Sequence, residues 1–355
     1  MELYDFQKRI AQHIRAGRSV VLQAPTGSGK TFAALWPFLE AWDRKPDNFP
    51  RKCVYAVPMR ILANQFTASA QELVTEKLAL IENPDIRIQT GEQQEDRRFE
   101  GNLVFCTIDQ FLSSYLTMPY SLPNRLANLN AGAMVGSYLV FDEFHLLDPG
   151  STLPSTLYAL RQLRKIAPVL LMTATFSKSM LHSLAKILDA EVELVSPDEA
   201  RAIETRDGER PRQRAWNTAE EPLSAEAVLA GHKTRSLALC NTVWRAQNLY
   251  RELRDLIQTR ELDIDLLLLH SRFLPEDRQK TEDSLRRLFG KDAVKGGSLI
   301  AIATQTIEVG VDITCETLHT ELAPASALIQ RAGRCARYPG EQGQVIVYPV
   351  ESYMP

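Results

Sequence analysis

Two short strings of residues carry most of the chemistry. The first, Ala24-Pro25-Thr26-Gly27-Ser28-Gly29-Lys30-Thr31, follows the apolar run Val20-Val21-Leu22 and leads into a helical pattern. Gly27 and Gly29 let the backbone amides of the loop, Thr26 and Ser28 included, close around phosphate oxygens. The new helix points its N-terminal amides at the same place, Lys30 adds a positive charge, and the Thr31 hydroxyl can ligate Mg²⁺. Ala24 stands where the general pattern has glycine. The second string, Asp142-Glu143-Phe144-His145, follows Leu139-Val140-Phe141, so an apolar strand body ends in an acidic tip. Asp142 is suited to holding Mg²⁺ through water, and Glu143 to orienting or deprotonating an attacking water. An acidic pair after a strand is ordinarily a solvated turn, but a phosphate loop in the same sheet reverses that reading. Upstream, Tyr4-Asp5-Phe6-Gln7 opens a helix that would bring Gln7 to an adenine edge, although amphipathic packing accounts for Phe6 equally well.

These strings need a sheet to bring them together. Short β-branched runs alternate with stretches of three-to-four apolar spacing, the pattern of an α/β protein with parallel strands. Strands are expected at 20–23, 53–57, 86–89, 103–106, 138–141 and 169–172, with helices at 5–16, 30–42, 61–81, 155–165 and 178–188. Pro37 should kink or shorten the second helix. A second series follows, with strands at 236–240, 265–269, 298–303, 318–322 and 345–350 and helices at 245–259 and 275–289, the last stopped by Gly290. The charge-dense segment 197–222, with Pro197, Gly208, Pro211 and Pro222, reads as a junction between domains 1–196 and 223–355. In an open parallel sheet ligands sit at the carboxyl ends of strands, so the two strings can converge across more than a hundred positions.

Composition narrows the class. At 355 residues the chain is too long for a single small module. Its 41 Lys+Arg against 44 Asp+Glu offer no bulk electrostatic case for nucleic acid, so any such site is a local stripe. Five cysteines, odd in number and in no C-x-x-C pair, argue against a disulfide framework or a zinc site and suit a reducing cytoplasm. Cys53, Cys106 and Cys240 read as small buried hydrophobes in strands. Neither an export signal nor a membrane span is expected.

The phosphate-loop lysine, Asp142-Glu-Phe-His145, Thr173-Ala-Thr175 and Gln330-Arg-Ala-Gly-Arg-Cys-Ala-Arg337 occur in one order, and together they resemble superfamily 2 DExH-box helicases over almost the whole chain. The resemblance implies two RecA-like parallel-sheet domains in tandem, ATP in the cleft between them, and single-stranded nucleic acid crossing both. It implies further that Thr173 and Thr175 link hydrolysis to domain movement, that His145 contacts the motif around Gln330, and that Arg334 and Arg337 are arginine fingers. By the same resemblance Thr304 and Gln305 belong to a segment that touches the nucleic-acid backbone, and Gly310 and Asp312 approach the nucleotide. Pro58 and Arg60 after one strand, and Thr107 and Gln110 after another, resemble strand-gripping loops that position the backbone without reading bases. His270, at a strand end, is divided between a nucleic-acid contact and a turn cap, and Trp36 and Trp42 read as packing rather than base-stacking residues.

Narrower features are similar to the helicase of type I CRISPR interference: Leu139 to Asp148, Met172 to Ser177, Leu269-His-Ser-Arg-Phe273 with Asp277-Arg278, and Gln330 to Cys335. That family implies a 3′ to 5′ motor on the displaced DNA strand, recruited by an RNA-guided surveillance complex. None of the six histidines is followed by Asp, so the His-Asp motif of the fused nuclease is missing and a separate HD nuclease subunit is expected. With one strand after Arg337, the chain is expected to be truncated or to be one part of a split helicase. Two other readings stay open: a DNA-repair or RNA helicase of the same superfamily, and a non-catalytic recruitment module. A plain P-loop kinase leaves the second half unexplained.

Overall fold

The computed structural model describes residues 3–25, 27–78, 80, 82–205, 210–291, 293, 297–308 and 312–350. The chain divides into two compact units, Met1–Ala200 and Arg201–Pro355, each built on its own sheet. In chain order the strands are β1 (Val20–Gln23), β2 (Cys53–Val57), β3 (Ile86–Gln89), β4 (Leu103–Thr107), β5 (Tyr138–Phe141), β6 (Val169–Thr173), β7 (Glu191–Leu194), β8 (Gln213–Thr218), β9 (Arg235–Leu239), β10 (Asp265–Leu269), β11 (Leu299–Ala303), β12 (Thr317–Glu321) and β13 (Gln342–Tyr348).

The first sheet runs β3-β4-β2-β5-β6-β1-β7 and the second β10-β11-β9-β12-β13-β8, and the pairings within both are parallel. These are two RecA-like parallel-sheet units in tandem. Helices cover both faces of such sheets, so their strands are apolar at successive positions rather than alternating. In β9 and β11, Leu237, Leu239, Ala301 and Ala303 pack into one core, while Ala238, Ile300 and Ile302 pack into another on the opposite face. The first unit buries Val21, Val54, Val104, Leu139, Phe141 and Leu171 in one continuous core.

Most expected elements are present within a residue or two of their expected ends. Three expectations need correction. Pro37 does not shorten its helix, which runs from Lys30 to Arg44 with Ala33, Ala34, Phe38 and Leu39 buried along it, so packing outweighs the lost amide donor. The helix expected over 61–81 is regular only over Arg60–Glu72 and widens into one π turn at Leu73–Lys77. The segment 197–222 is no bare junction: it holds the helix Pro197–Thr205 and then β8, which pairs with β13 at the edge of the second sheet.

Candidate nucleotide site

Sheet order places the two chemical strings side by side. β1 lies next to β6, β6 next to β5, and β5 next to β2, with Gln23 opposite Thr173 and Phe141 opposite both Leu171 and Ala56. All four strands are parallel, so their carboxyl ends share one edge of the sheet, where open α/β proteins bind ligands. The phosphate loop leaves β1 there, Pro58 leaves β2, Asp142 leaves β5, and Thr173 closes β6. The Ala24 amide donates to the Thr173 carbonyl at 3.3 Å, which ties the loop's first residue to that edge.

The loop has the backbone that its glycines were expected to supply. Gly27 and Gly29 both have φ of +83°, a conformation costly for a residue with a Cβ. Gly29 is needed twice over, since a Cβ there would lie 2.9 Å from Gln7 Nε2. The Ser28 amide and hydroxyl both bond the Pro25 carbonyl. Lys30 opens the helix Lys30–Arg44, is buried, donates to the Ala24 carbonyl at 3.2 Å, and lies 4.0 Å from Glu143 Oε1. Thr26 lies outside the described residues.

Asp142 is 1% exposed and accepts two hydrogen bonds, from the Glu143 amide and from the Tyr55 hydroxyl, each at 2.7 Å. Burial pushes its carboxyl up to about 6, the neighbouring Glu143 adds to this, and Lys30 and the Tyr55 bond oppose it. Glu143 takes a left-handed conformation with φ of +49°, which turns the chain sharply after the strand. His145 Nδ1 lies 3.5 Å from Glu143 Oε2 and 3.3 Å from Thr173 Oγ1. Burial holds the His145 imidazole below its usual range, with Glu143 opposing, so it is neutral near pH 7. The Thr175 amide donates to Thr173 Oγ1 at 3.4 Å. Lys30, Asp142, Glu143, His145 and Thr173 thus form one connected cluster. Gln7 is buried, accepts from the Tyr4 amide at 3.0 Å and donates to the Gly29 carbonyl at 3.2 Å. It therefore braces the loop, a structural duty beside the expected adenine contact.

The expected strand-gripping residues divide. Arg60 is exposed after β2, pairs with Glu92 at 2.6 Å, and lies beside Gly91, where a Cβ would come within 2.9 Å of its Nη2; Pro58 is half-buried. Thr107 caps the helix Ile108–Tyr115 by accepting from the Gln110 amide, and both residues are buried.

In the second unit, Thr304 is buried at the end of β11, and Gln305, exposed, donates to the Asn241 carbonyl at 2.9 Å. Arg334 is buried and donates to the Ile307 and Glu308 carbonyls at 3.1 and 2.7 Å, so the 304–308 turn and the arginine string form one block. Arg337 is ion-paired with Asp312, whose Oδ1 also accepts from the Tyr338 hydroxyl at 3.1 Å. Gln330 is half-buried on the helix Ala325–Ala332, and Gly310 lies outside the described residues. Sequence reasoning passed over Arg331, which is 1% exposed and bonds Glu308, Thr320, the Glu321 carbonyl and Asn241. Its place inside the matched arginine string was the available signal. His270 is buried, with Nδ1 accepting from the Arg272 amide at 3.2 Å, as a turn cap does.

The geometry defines a class, a P-loop nucleotide-binding unit followed by a second α/β unit with an arginine-bearing helix end. Residues 4–183 match the DEAD/DEAH box helicase family, and residues 232–340 match the C-terminal region of the CRISPR-associated nuclease/helicase Cas3. The first match covers half of the chain, which therefore belongs to the DEAD/DEAH box helicase family. The CRISPR-associated helicase Cas3 of Thermoproteus tenax is 27% identical over all of this chain and 60% of its own length. The T. fusca Cas3-AMPPNP crystal structure has a TM-score of 0.74 at 22% identity, covering all of this chain and 47% of that one. A chain in a structure of a CRISPR RNA-guided surveillance complex in its pre-nicking state has a TM-score of 0.68 at 24% identity, over 99% of this chain and 45% of that one. The first three curated relatives are spanned to between 40% and 60% of their own lengths.

Proposed function

We propose that this chain is an ATP-dependent single-stranded-DNA translocase and helicase, the motor of a type I CRISPR interference system, working in the cytoplasm with an RNA-guided surveillance complex and a separate HD nuclease. The observation that carries the enzymatic part is the cluster at the edge of the first sheet, where Lys30 lies 4.0 Å from Glu143 and Asp142 is buried beside both. The match of residues 232–340 to the Cas3 C-terminal region supports the CRISPR assignment.

In this reading the loop amides and Lys30 bind the triphosphate, and Glu143 orients or deprotonates the attacking water. The oxygen donors fit Mg²⁺: a buried carboxylate on Asp142 and the Thr31 hydroxyl would hold it, as hard cations prefer. When bound, Mg²⁺ would neutralise charge on the β- and γ-phosphates. His145 meets Glu143 and is hydrogen-bonded to Thr173, a chain that suits a coupling role. Arg334 and Arg337 are the proposed fingers for the γ-phosphoryl group. Pro58, Arg60, Thr107, Gln110, Thr304 and Gln305 are the proposed backbone contacts for DNA.

The test is ATP turnover with and without single-stranded DNA, for wild type and Glu143→Gln. Wild type is expected to be stimulated by DNA, and the variant to lose about a hundred-fold or more in turnover while still binding ATP, since general-base catalysis supplies that much. Equal, negligible rates in all four reactions would sink the motor. The DEAD/DEAH match over the ATP site is common to other helicases, so a repair or RNA helicase is the second reading. Unwinding of RNA duplexes with no preference for DNA would favour it.

A further inference from the structure

Tyr55 belongs to neither chemical string, yet its hydroxyl reaches the acid of the second. It lies in β2 with no exposed surface and donates to Asp142 Oδ2 at 2.7 Å. The ring is held on two sides, by Phe66 at 5.6 Å edge-on and by Phe105 at 5.0 Å. A phenol locked in this way has few alternative positions, so the carboxylate oxygen it bonds is held in place.

We propose that Tyr55 is a positioning residue that fixes the Asp142 carboxylate in the orientation in which it would hold a divalent cation. The inference rests on the proposed nucleotide site and adds a third strand to it: β1 supplies the loop, β5 the acid, and β2 the clamp on that acid. Without the phenol, Asp142 keeps the Glu143 amide but loses its second fixed hydrogen bond. Octahedral Mg²⁺ tolerates misplaced ligands poorly, so the loss falls on the metal-dependent part of nucleotide binding.

Tyr55→Phe removes the hydroxyl and keeps the ring against Phe66 and Phe105. The experiment measures equilibrium binding of a fluorescent ADP analogue in EDTA and across a Mg²⁺ titration, with a thermal melt of each protein. The variant should match wild type within about two-fold in EDTA, while the gain in affinity on adding Mg²⁺ falls by about ten-fold or more, the scale of one hydrogen bond to a charged group. An unchanged Mg²⁺ dependence in Tyr55→Phe, or equal losses with and without Mg²⁺, would overturn the assignment. Wild type that binds no nucleotide overturns the functional reading as well, which separates the two failures.

Discussion

Within the second unit, one buried side chain ties stability to acidity. His319, on β12, is fully buried; its Nδ1 is 2.8 Å from the Tyr348 hydroxyl, while its Nε2 is buried with no hydrogen-bond partner among the described residues. Burial, with His232 adding to it, pushes its imidazole down to about 4. A depressed folded-state value means that the unfolded chain binds the proton more readily. The stabilisation is therefore complete above the unfolded value near 6.5 and is lost as pH falls from there toward 4, by about 3 kcal/mol for a shift of that size. Urea titrations between pH 7 and 4 should show this fall, and His319→Leu should flatten it; an equal slope in both proteins would refute the attribution. The site residues were legible at this scale because their chemistry is local: Lys30, Asp142 and Glu143 each sit in a string whose residue types define a task. Arg331 and Tyr55 were not, since one looks like any arginine in a matched string and the other like any aromatic in a strand. Only their partners distinguish them.

The element that this arginine serves is the helix Ala325–Ala332. Arg331 joins it to β12 through Thr320 Oγ1 at 2.9 Å and the Glu321 carbonyl at 3.2 Å, to the turn after β9 through Asn241 at 3.1 Å, and to Glu308 at 2.7 Å. Arg331→Met keeps much of the volume but leaves Glu308 and Thr320 without that partner. Breaking a buried pair on one side costs about 3–5 kcal/mol, so the melting temperature should fall by several degrees. A melt within a degree of wild type would show that the block stands without it. Elements differed in legibility for a related reason. β5 and β11 are buried along their whole length and read as apolar runs. β8, Gln-Arg-Ala-Trp-Asn-Thr, is mostly exposed at a sheet edge and has no apolar pattern to read. Its strand character comes from pairing with β13, a contact more than a hundred residues away. The helix Ala225–Gly231 spans two turns, too few to establish a period.

At the scale of the whole chain, each unit encloses its own core, and the cores packed on the second sheet draw their residues from 223 onward. A fragment of residues 201–355 should therefore fold alone, with α/β circular dichroism and a cooperative melt; a fragment without a melting transition would contradict this. The tandem arrangement was legible because two strand series are separated by a charged, proline-bearing stretch, while the boundary inside that stretch depended on where β8 pairs. The first sheet also imposes an order of events on synthesis. β1, which leads into the phosphate loop, is held between β6 and β7, and its flanking Ser19 bonds the Val169 amide across 150 positions. At about 5–20 residues per second, the ribosome needs roughly 10–30 s to make that stretch, and the loop waits unsupported until both neighbours emerge. The loop proposed to grip phosphate is thus among the first parts of the chain to be made and among the last to be seated.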